Sequence, residues 1–117
     1  MVRRDTGQKM AVKETEAVST VEQLLVEIQH NLYAKARIDL ENKITTVQNY
    51  EEFKNTLKTK GGFIKAAWCG RATCEAKIKD ETGTTIRLRP FEKEAPKSPC
   101  VGCGENAEEM VYFARSY

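Results

Sequence analysis

Histidine is nearly absent from this sequence: His30 is the only one in 117 residues. That excludes the histidine-based zinc sites of hydrolases and leaves the serines and cysteines without an evident neighbouring base. His30 lies off the apolar stripe of its segment, beside Tyr33 and Ala34, and reads as a surface residue. Net charge is lacking too. Nineteen basic residues face seventeen acidic ones, divided ten to nine over residues 1–60 and nine to eight over residues 61–117. No overall cationic field marks a nucleic-acid binder, so any RNA contact must come from a local patch or a larger assembly. Nothing approaches the roughly eighteen apolar residues of a membrane span, and the N-terminus has no apolar signal-peptide core. The expectation is a cytoplasmic, reducing setting without a membrane partner. There is also no glycine-rich phosphate loop before a helix, no internal repeat and no low-complexity tract.

What the chain does have is four cysteines, all between Trp68 and Gly104. Cys69 and Cys74 form a C-x4-C pair, Cys100 and Cys103 a C-x2-C pair, with twenty-five residues between the pairs. This is the form of a four-thiolate structural metal site. Two disulfides fit a cytosolic chain poorly, and a redox dithiol at Cys100 and Cys103 leaves Cys69 and Cys74 unexplained. Spacing does not separate zinc from a rubredoxin-like iron site; zinc leads. Gly102 and Gly104 are expected to take positive φ, so that backbone amides of the knuckle point at the sulfurs. A zinc held by four cysteines keeps no open position for water or substrate, and no residue of the chain is assigned a catalytic role.

The rest reads in order as follows. Val2-Arg3-Arg4 and Met10-Ala11-Val12 flank the turn-forming Asp5-Thr6-Gly7-Gln8, a hairpin without a sheet, so residues 1–18 are expected to be the end of a larger domain. Ser19 or Thr20 then caps a long helix, with Val21, Leu24, Leu25, Ile28, Leu32, Ala36 and Leu40 at helical spacing and one face committed to packing. From Thr20 to about Ile44 it would run roughly 37 Å. Asn49 with Glu52 opens a shorter helix, with Tyr50, Phe53 and Leu57 on its buried side, stopped at Gly61-Gly62. Phe63–Trp68 is a strand that delivers Cys69, and Cys74 and Ile78 fall on a short helix that closes near Gly83. Thr84–Arg89 and Met110–Ala114 are strands, separated by a loop carrying Pro90, Pro96 and Pro99. The adjacent Asp80 and Glu81 read as a solvated helix end. The second half has a small core of Phe63, Ile64, Trp68, Ile78, Ile86, Leu88, Phe91, Val111 and Phe113. A core of that size is marginal against backbone entropy of about 1–2 kcal/mol per residue, so the metal is expected to be part of the fold. The fold class is therefore α+β: a long connecting helix, then a small zinc-stabilised α/β domain with a short, mostly antiparallel sheet.

Particular runs of residues go further. Gly62-Phe63-Ile64-Lys65-Ala66-Ala67-Trp68-Cys69-Gly70, Cys74-Glu75-Ala76-Lys77-Ile78-Lys79, Glu81-Thr82-Gly83-Thr84-Thr85-Ile86-Arg87, Cys100-Val101-Gly102-Cys103-Gly104 and Tyr112-Phe113-Ala114-Arg115-Ser116-Tyr117 closely resemble the C-terminal zinc-binding domain of archaeal/eukaryotic-type prolyl-tRNA synthetase. Arg3-Arg4-Asp5-Thr6-Gly7 and Glu27-Ile28-Gln29-His30-Asn31-Leu32-Tyr33 are similar to that family's exit from its anticodon-binding domain and to its connecting helix. The resemblance implies three parts: 1–18, a C-terminal remnant of the anticodon-binding domain; 19–48, the connecting helix; 49–117, the zinc-binding domain.

It further implies a class II parent enzyme, cytoplasmic and homodimeric, that uses ATP and Mg²⁺ to join proline to its tRNA. ATP and Mg²⁺ belong to a catalytic domain absent from this chain, whose only cofactor is structural zinc at Cys69, Cys74, Cys100 and Cys103. Proline tRNA and the parent's catalytic domain are the expected partners. Tyr117, by the same resemblance, is an interdomain contact whose terminal carboxylate approaches the catalytic domain. Arg3 and Arg4 are candidate RNA contacts, since most anticodon-reading residues of the family fall before Met1. From another class, an independent zinc-ribbon module binding RNA or a protein partner would be complete as it stands, with a coherent cationic surface around Arg87 and Arg89.

Overall fold

The computed structural model describes residues 1–116; the expected placement of Tyr117 lies outside the described residues. The chain divides into two compact units, Met1–Glu41 and Asn42–Tyr117.

The first unit begins with a turn closed by a single bridge between Val2 and Lys9, with Gly7 at φ +75°. A short 3₁₀ turn, Glu14–Glu16, leads directly into helix α1, Ala17–Asn42. The helix therefore starts before the expected caps. Ser19 and Thr20 sit inside it, and their hydroxyls donate back to the Glu16 carbonyl at 3.1 and 2.8 Å. The helix buries none of its residues: Leu24 and Ile28 are half-buried, while Val21, Leu25, Leu32 and Leu40 of the expected stripe are exposed. Its periodic face has no partner within the unit, which corrects the expectation of a packed face. A polar cluster holds the turn to the helix. The Arg3 guanidinium makes a two-pronged contact with Asp5 (3.1 and 2.8 Å) and reaches Glu27 of α1 at 2.7 Å, while Asn31 donates to Asp5 at 3.1 Å.

In the second unit, the chain leaves the helix at Asn42 rather than running on to Ile44. Ile44–Thr46 is instead a short strand, β1, parallel to β2 (Phe63–Trp68) in the register Ile44↔Phe63. β-branched residues suit that pleated edge, and pairing with β2 decides against the helical continuation. Helix α2 (Tyr50–Thr59) connects the two strands. Its start is as expected: the Glu52 amide donates to Asn49 Oδ1 at 2.9 Å, and Glu52 in return accepts from the Gln48 amide at 2.9 Å. It ends at Gly61 and Gly62, both at positive φ. Helix α3 (Ala72–Thr82) closes on Gly83 in the left-handed conformation, and β3 (Thr84–Leu88) and β4 (Glu109–Arg115) complete a mixed sheet of order β1-β2-β4-β3. Only the β1–β2 pair is parallel, so the sheet is mostly antiparallel.

The core is continuous from α2 to the cysteines. Ile64 and Ala66 of β2 stand opposite Phe113 and Val111 of β4, and with Phe53, Leu57, Val47 and Ile78 they form one buried cluster that also contains Cys69, Cys74 and Cys100. Phe53 meets Phe113 edge to face, with ring centroids 5.3 Å apart. Three expected core members are not in it, Phe63 being only half-buried at the start of β2. Leu88 is half exposed at the end of β3, and Phe91 stands fully in solvent, because the proline-containing segment carries it off the sheet. Val47 and Met110 are buried instead. Glu81 is more than a solvated helix end: it accepts from the Tyr50 hydroxyl at 2.7 Å and pairs with Lys54 at 3.7 Å, which ties α3 to α2.

Candidate metal centre

The four cysteines arrive from three local structures. Cys69 follows the last residue of β2, where Gly70 at φ +77° turns the chain. Cys74 lies in the first turn of α3, its amide donating to the Arg71 carbonyl at 3.1 Å. Cys100 and Cys103 occupy the tight knuckle before β4, closed by the Gly104 amide donating to the Cys100 carbonyl at 2.8 Å. The knuckle is pinned to the sheet, because the Val101 amide donates to the Ala67 carbonyl at 2.9 Å.

These supports bring all four sulfurs within 4.8 Å of one another. Cys69 and Cys103 Sγ are 3.8 Å apart, and every cysteine is free, so the geometry is that of a ligand set and not of disulfides. Sulfurs at the corners of a tetrahedron about 2.3 Å from a zinc ion stand about 3.8 Å apart, so the set fits that ion. Cys69, Cys74 and Cys100 are buried, and Cys103 is exposed.

The site favours thiolate charge at Cys69 and opposes it at Cys74 and Cys100. Burial pushes the Cys69 thiol up, but the Arg71 amide, the neighbouring thiols of Cys74 and Cys100, and the Arg71 guanidinium outweigh it and hold Cys69 at about 6. Cys74 goes the other way, up to about 12, from burial and then from Cys69 and Cys103 beside it. Cys100 is also raised by burial, against the backbone amides of Cys103 and Gly102 that point at its sulfur. Four sulfurs packed this closely cannot all ionise without a cation among them, which is the demand a divalent metal meets.

The two knuckle glycines differ. Gly104 has φ +74°, as expected of the turn, but Gly102 does not take positive φ. Its backbone instead packs closely on α3, where a Cβ would lie 3.0 Å from Ile78 Cδ1 and the isoleucine would have to shift. The knuckle thus packs its backbone against α3, joining the metal site to the core. Arg71 and Glu105, not expected from the sequence, clamp the rim. The Arg71 guanidinium forms an ion pair with Glu105 and lies 3.9 Å from Cys103 Sγ. The available signal was positional, since each follows a cysteine of the cluster by two residues, Cys69 and Cys103 respectively.

The other proposed positions are not drawn into this centre. His30 is exposed on α1. Arg3 is buried and engaged with Asp5 and Glu27, and Arg4 is exposed. Arg89 is not an open cationic residue: it pairs with the buried carboxylate of Glu109 at 2.5 Å, beside the Trp68 ring. Among the described residues no helix is long and apolar enough to cross a membrane.

Comparison with known proteins bears on the whole arrangement. The chain is 48% identical over 118 aligned residues to a proline--tRNA ligase of Oceanobacillus iheyensis, covering all of this chain and 24% of that protein. It is 43% identical over 117 residues to the corresponding ligase of Lachnospira eligens, again covering all of this chain and 24% of the relative. Its fold matches a crystal structure of prolyl-tRNA synthetase from Cryptosporidium parvum, complexed with L-proline and AMP. That match has a TM-score of 0.90 and 31% identity over 99% of this chain and 25% of that one. The chain therefore spans about a quarter of the length of the relatives it matches. Residues 50–117, more than half of the sequence and the part that holds all four cysteines, match the family described as prolyl-tRNA synthetase, C-terminal, and the chain belongs to that family.

Proposed function

We propose that Cys69, Cys74, Cys100 and Cys103 hold one structural zinc, and that the chain is the non-catalytic C-terminal region of a class II prolyl-tRNA synthetase. The observation that carries the metal assignment is the convergence of four thiol sulfurs within 4.8 Å, on supports from β2, α3 and the knuckle. Zinc in such a shell cross-links the core and, with four thiolates, leaves no position for a reacting water. The residues' own contributions are to present sulfur, to stabilise its charge through the amides at Arg71, Gly102 and Cys103, and to shield it beneath Ile78 and Val101.

In this reading the residues before α1 end an anticodon-binding domain, α1 connects, and the unit from Asn42 onward, β1 included, forms the zinc domain. Arg3 and Arg4 stand near bound tRNA, Arg4 with the more accessible charge. Tyr117 contacts the catalytic domain, which binds ATP and Mg²⁺, in a cytoplasmic homodimer. Similarity over nearly the full chain to the Cryptosporidium parvum enzyme supports the archaeal/eukaryotic type. Two measurements test the proposal. Protein purified without chelator should carry about one zinc per chain, and less than about a tenth of an equivalent with the fold intact would overturn the metal assignment. The chain alone should show no proline-dependent pyrophosphate exchange, whereas the full-length enzyme should show it and lose rate when Tyr117 is deleted. An unchanged rate would remove the role of Tyr117.

A further inference from the structure

A second feature of the Asn42–Tyr117 unit lies apart from the cysteines. An open groove of about 1090 Å³ runs between the C-terminal end of α2 and the ends of β3 and β4. Four cations line it, Lys43, Lys60, Arg87 and Arg115, with Leu57 and Phe63 among its apolar residues and no carboxylate side chain among the described residues of its lining. All four are exposed, and among the described residues none forms an ion pair. In a chain whose total charge is only +2, four unpaired cations around one groove are a marked local concentration.

The backbone holds them in place. The Lys43 carbonyl accepts from the Phe63 amide at 2.9 Å, and Lys60 caps α2 through its amide to the Thr56 carbonyl at 3.0 Å. Arg87 sits where the β3–β4 register shifts between Ile86 and Leu88, and such a bulge re-aims a side chain. Arg115 Nε donates to the Thr82 carbonyl at 3.2 Å, which orients its guanidinium.

We infer that this groove binds a single strand of RNA, its cations following the phosphates and the half-buried Phe63 ring offering a face to a base. Cationic grooves with an aromatic in the lining are how proteins hold single strands without reading sequence. The choice of RNA over an acidic peptide rests on the family reading. The groove's charge and shape do not.

The test uses the zinc-loaded chain and a fluorescein-labelled twelve-residue oligouridylate, followed by fluorescence anisotropy. With three to four phosphate contacts, affinity should fall about thirtyfold between 50 and 200 mM salt. The double variant Lys60→Glu/Arg87→Glu should weaken binding more than about tenfold, while Lys35→Glu/Lys79→Glu, with the same change of net charge, should stay within about twofold. Lys60→Arg/Arg87→Lys should bind as the parent does. Circular dichroism and zinc content must match the parent in every variant, so that loss of fold is told apart from loss of binding. Equal weakening by both charge-reversal pairs, or no binding by a folded, zinc-loaded chain, would overturn the inference and leave the zinc assignment standing. A hexaglutamate peptide that competes as well as the RNA would also overturn it, reassigning the groove to protein docking.

Discussion

Both units of this chain present apolar residues at helical spacing, yet only one of them buries those residues. Helix α1 has none buried, and Leu25 is 61% exposed; α2, less than half as long, buries Phe53 completely and Leu57 almost so. The difference is what lies opposite. α2 is followed at once by β2, the sheet gives its stripe a surface, and Phe53 finds Phe113. α1 is fastened to the preceding turn by a charged cluster instead, Arg3 with Asp5 and Glu27. Periodicity thus shows which face of a helix is able to pack, and not whether this chain supplies the partner.

The largest effect on the second unit is expected from removing one cysteine of the cluster. Cys100→Ser should abolish zinc binding and with it cooperative unfolding of residues 42–117, since such sites contribute on the order of 10 kcal/mol near neutral pH. The helical signal of α1 should persist. Metal analysis with near- and far-ultraviolet circular dichroism would check this, and retention of a sharp tertiary transition by the zinc-free variant would contradict it.

Next come matched truncations of the two stripes. Phe53→Ala should cost about 3–5 kcal/mol, because it empties a closed core, whereas Leu25→Ala on α1 should stay within about 0.5 kcal/mol. Urea denaturation gives both values. Similar costs would mean that α1 is packed in solution.

A finer contrast lies at the end of α2. Gly61 and Gly62 both have positive φ, but a Cβ on Gly61 meets open space while one on Gly62 would lie 2.5 Å from the Lys43 carbonyl oxygen. Gly61→Ala should cost about 1 kcal/mol, the left-handed penalty alone. Gly62→Ala should cost at least about 2 kcal/mol more, because backbone must move and the β1–β2 pairing with it. The same denaturation curves decide it.

The smallest effect belongs to the first unit. The Arg3 guanidinium, and then the Asn31 amide, hold the Asp5 carboxyl well below its ordinary value of 3.8. The unfolded state therefore binds more protons in this range, so the contribution of Asp5 is fully present above about pH 4 and fades as pH falls toward the lower folded value. Amide protection around Glu27–Asn31, taken relative to the intrinsic exchange rate at each pH, should fall below pH 4 in the parent. Arg3→Ala should show the reduced protection already at pH 7, with no change in unfolding of residues 42–117.

Much of the candidate site was legible because its signals are local. The cysteine spacing, the Asn49 cap and the glycine stops at Gly61 and Gly83 each depend on a few neighbouring residues, and each stands where it was expected. Arg71 and Glu105 were missed because their ion pair spans thirty-four positions. Ile44–Thr46 was misread for a related reason: a three-residue strand carries too little periodicity of its own, and only its pairing with β2 defines it.

The four-cysteine pattern, the order of most helices and strands, and the resemblance to the family are legible in the sequence, since these are written in residue types at short fixed distances. It took the folded structure to show that Gly102 packs against Ile78 without positive φ, that Leu88 and Phe91 stay in water, and that Arg87 rather than Arg89 belongs to a cationic groove. Those outcomes depend on which distant residue fills the space or meets the charge, and only the folded chain brings such residues together.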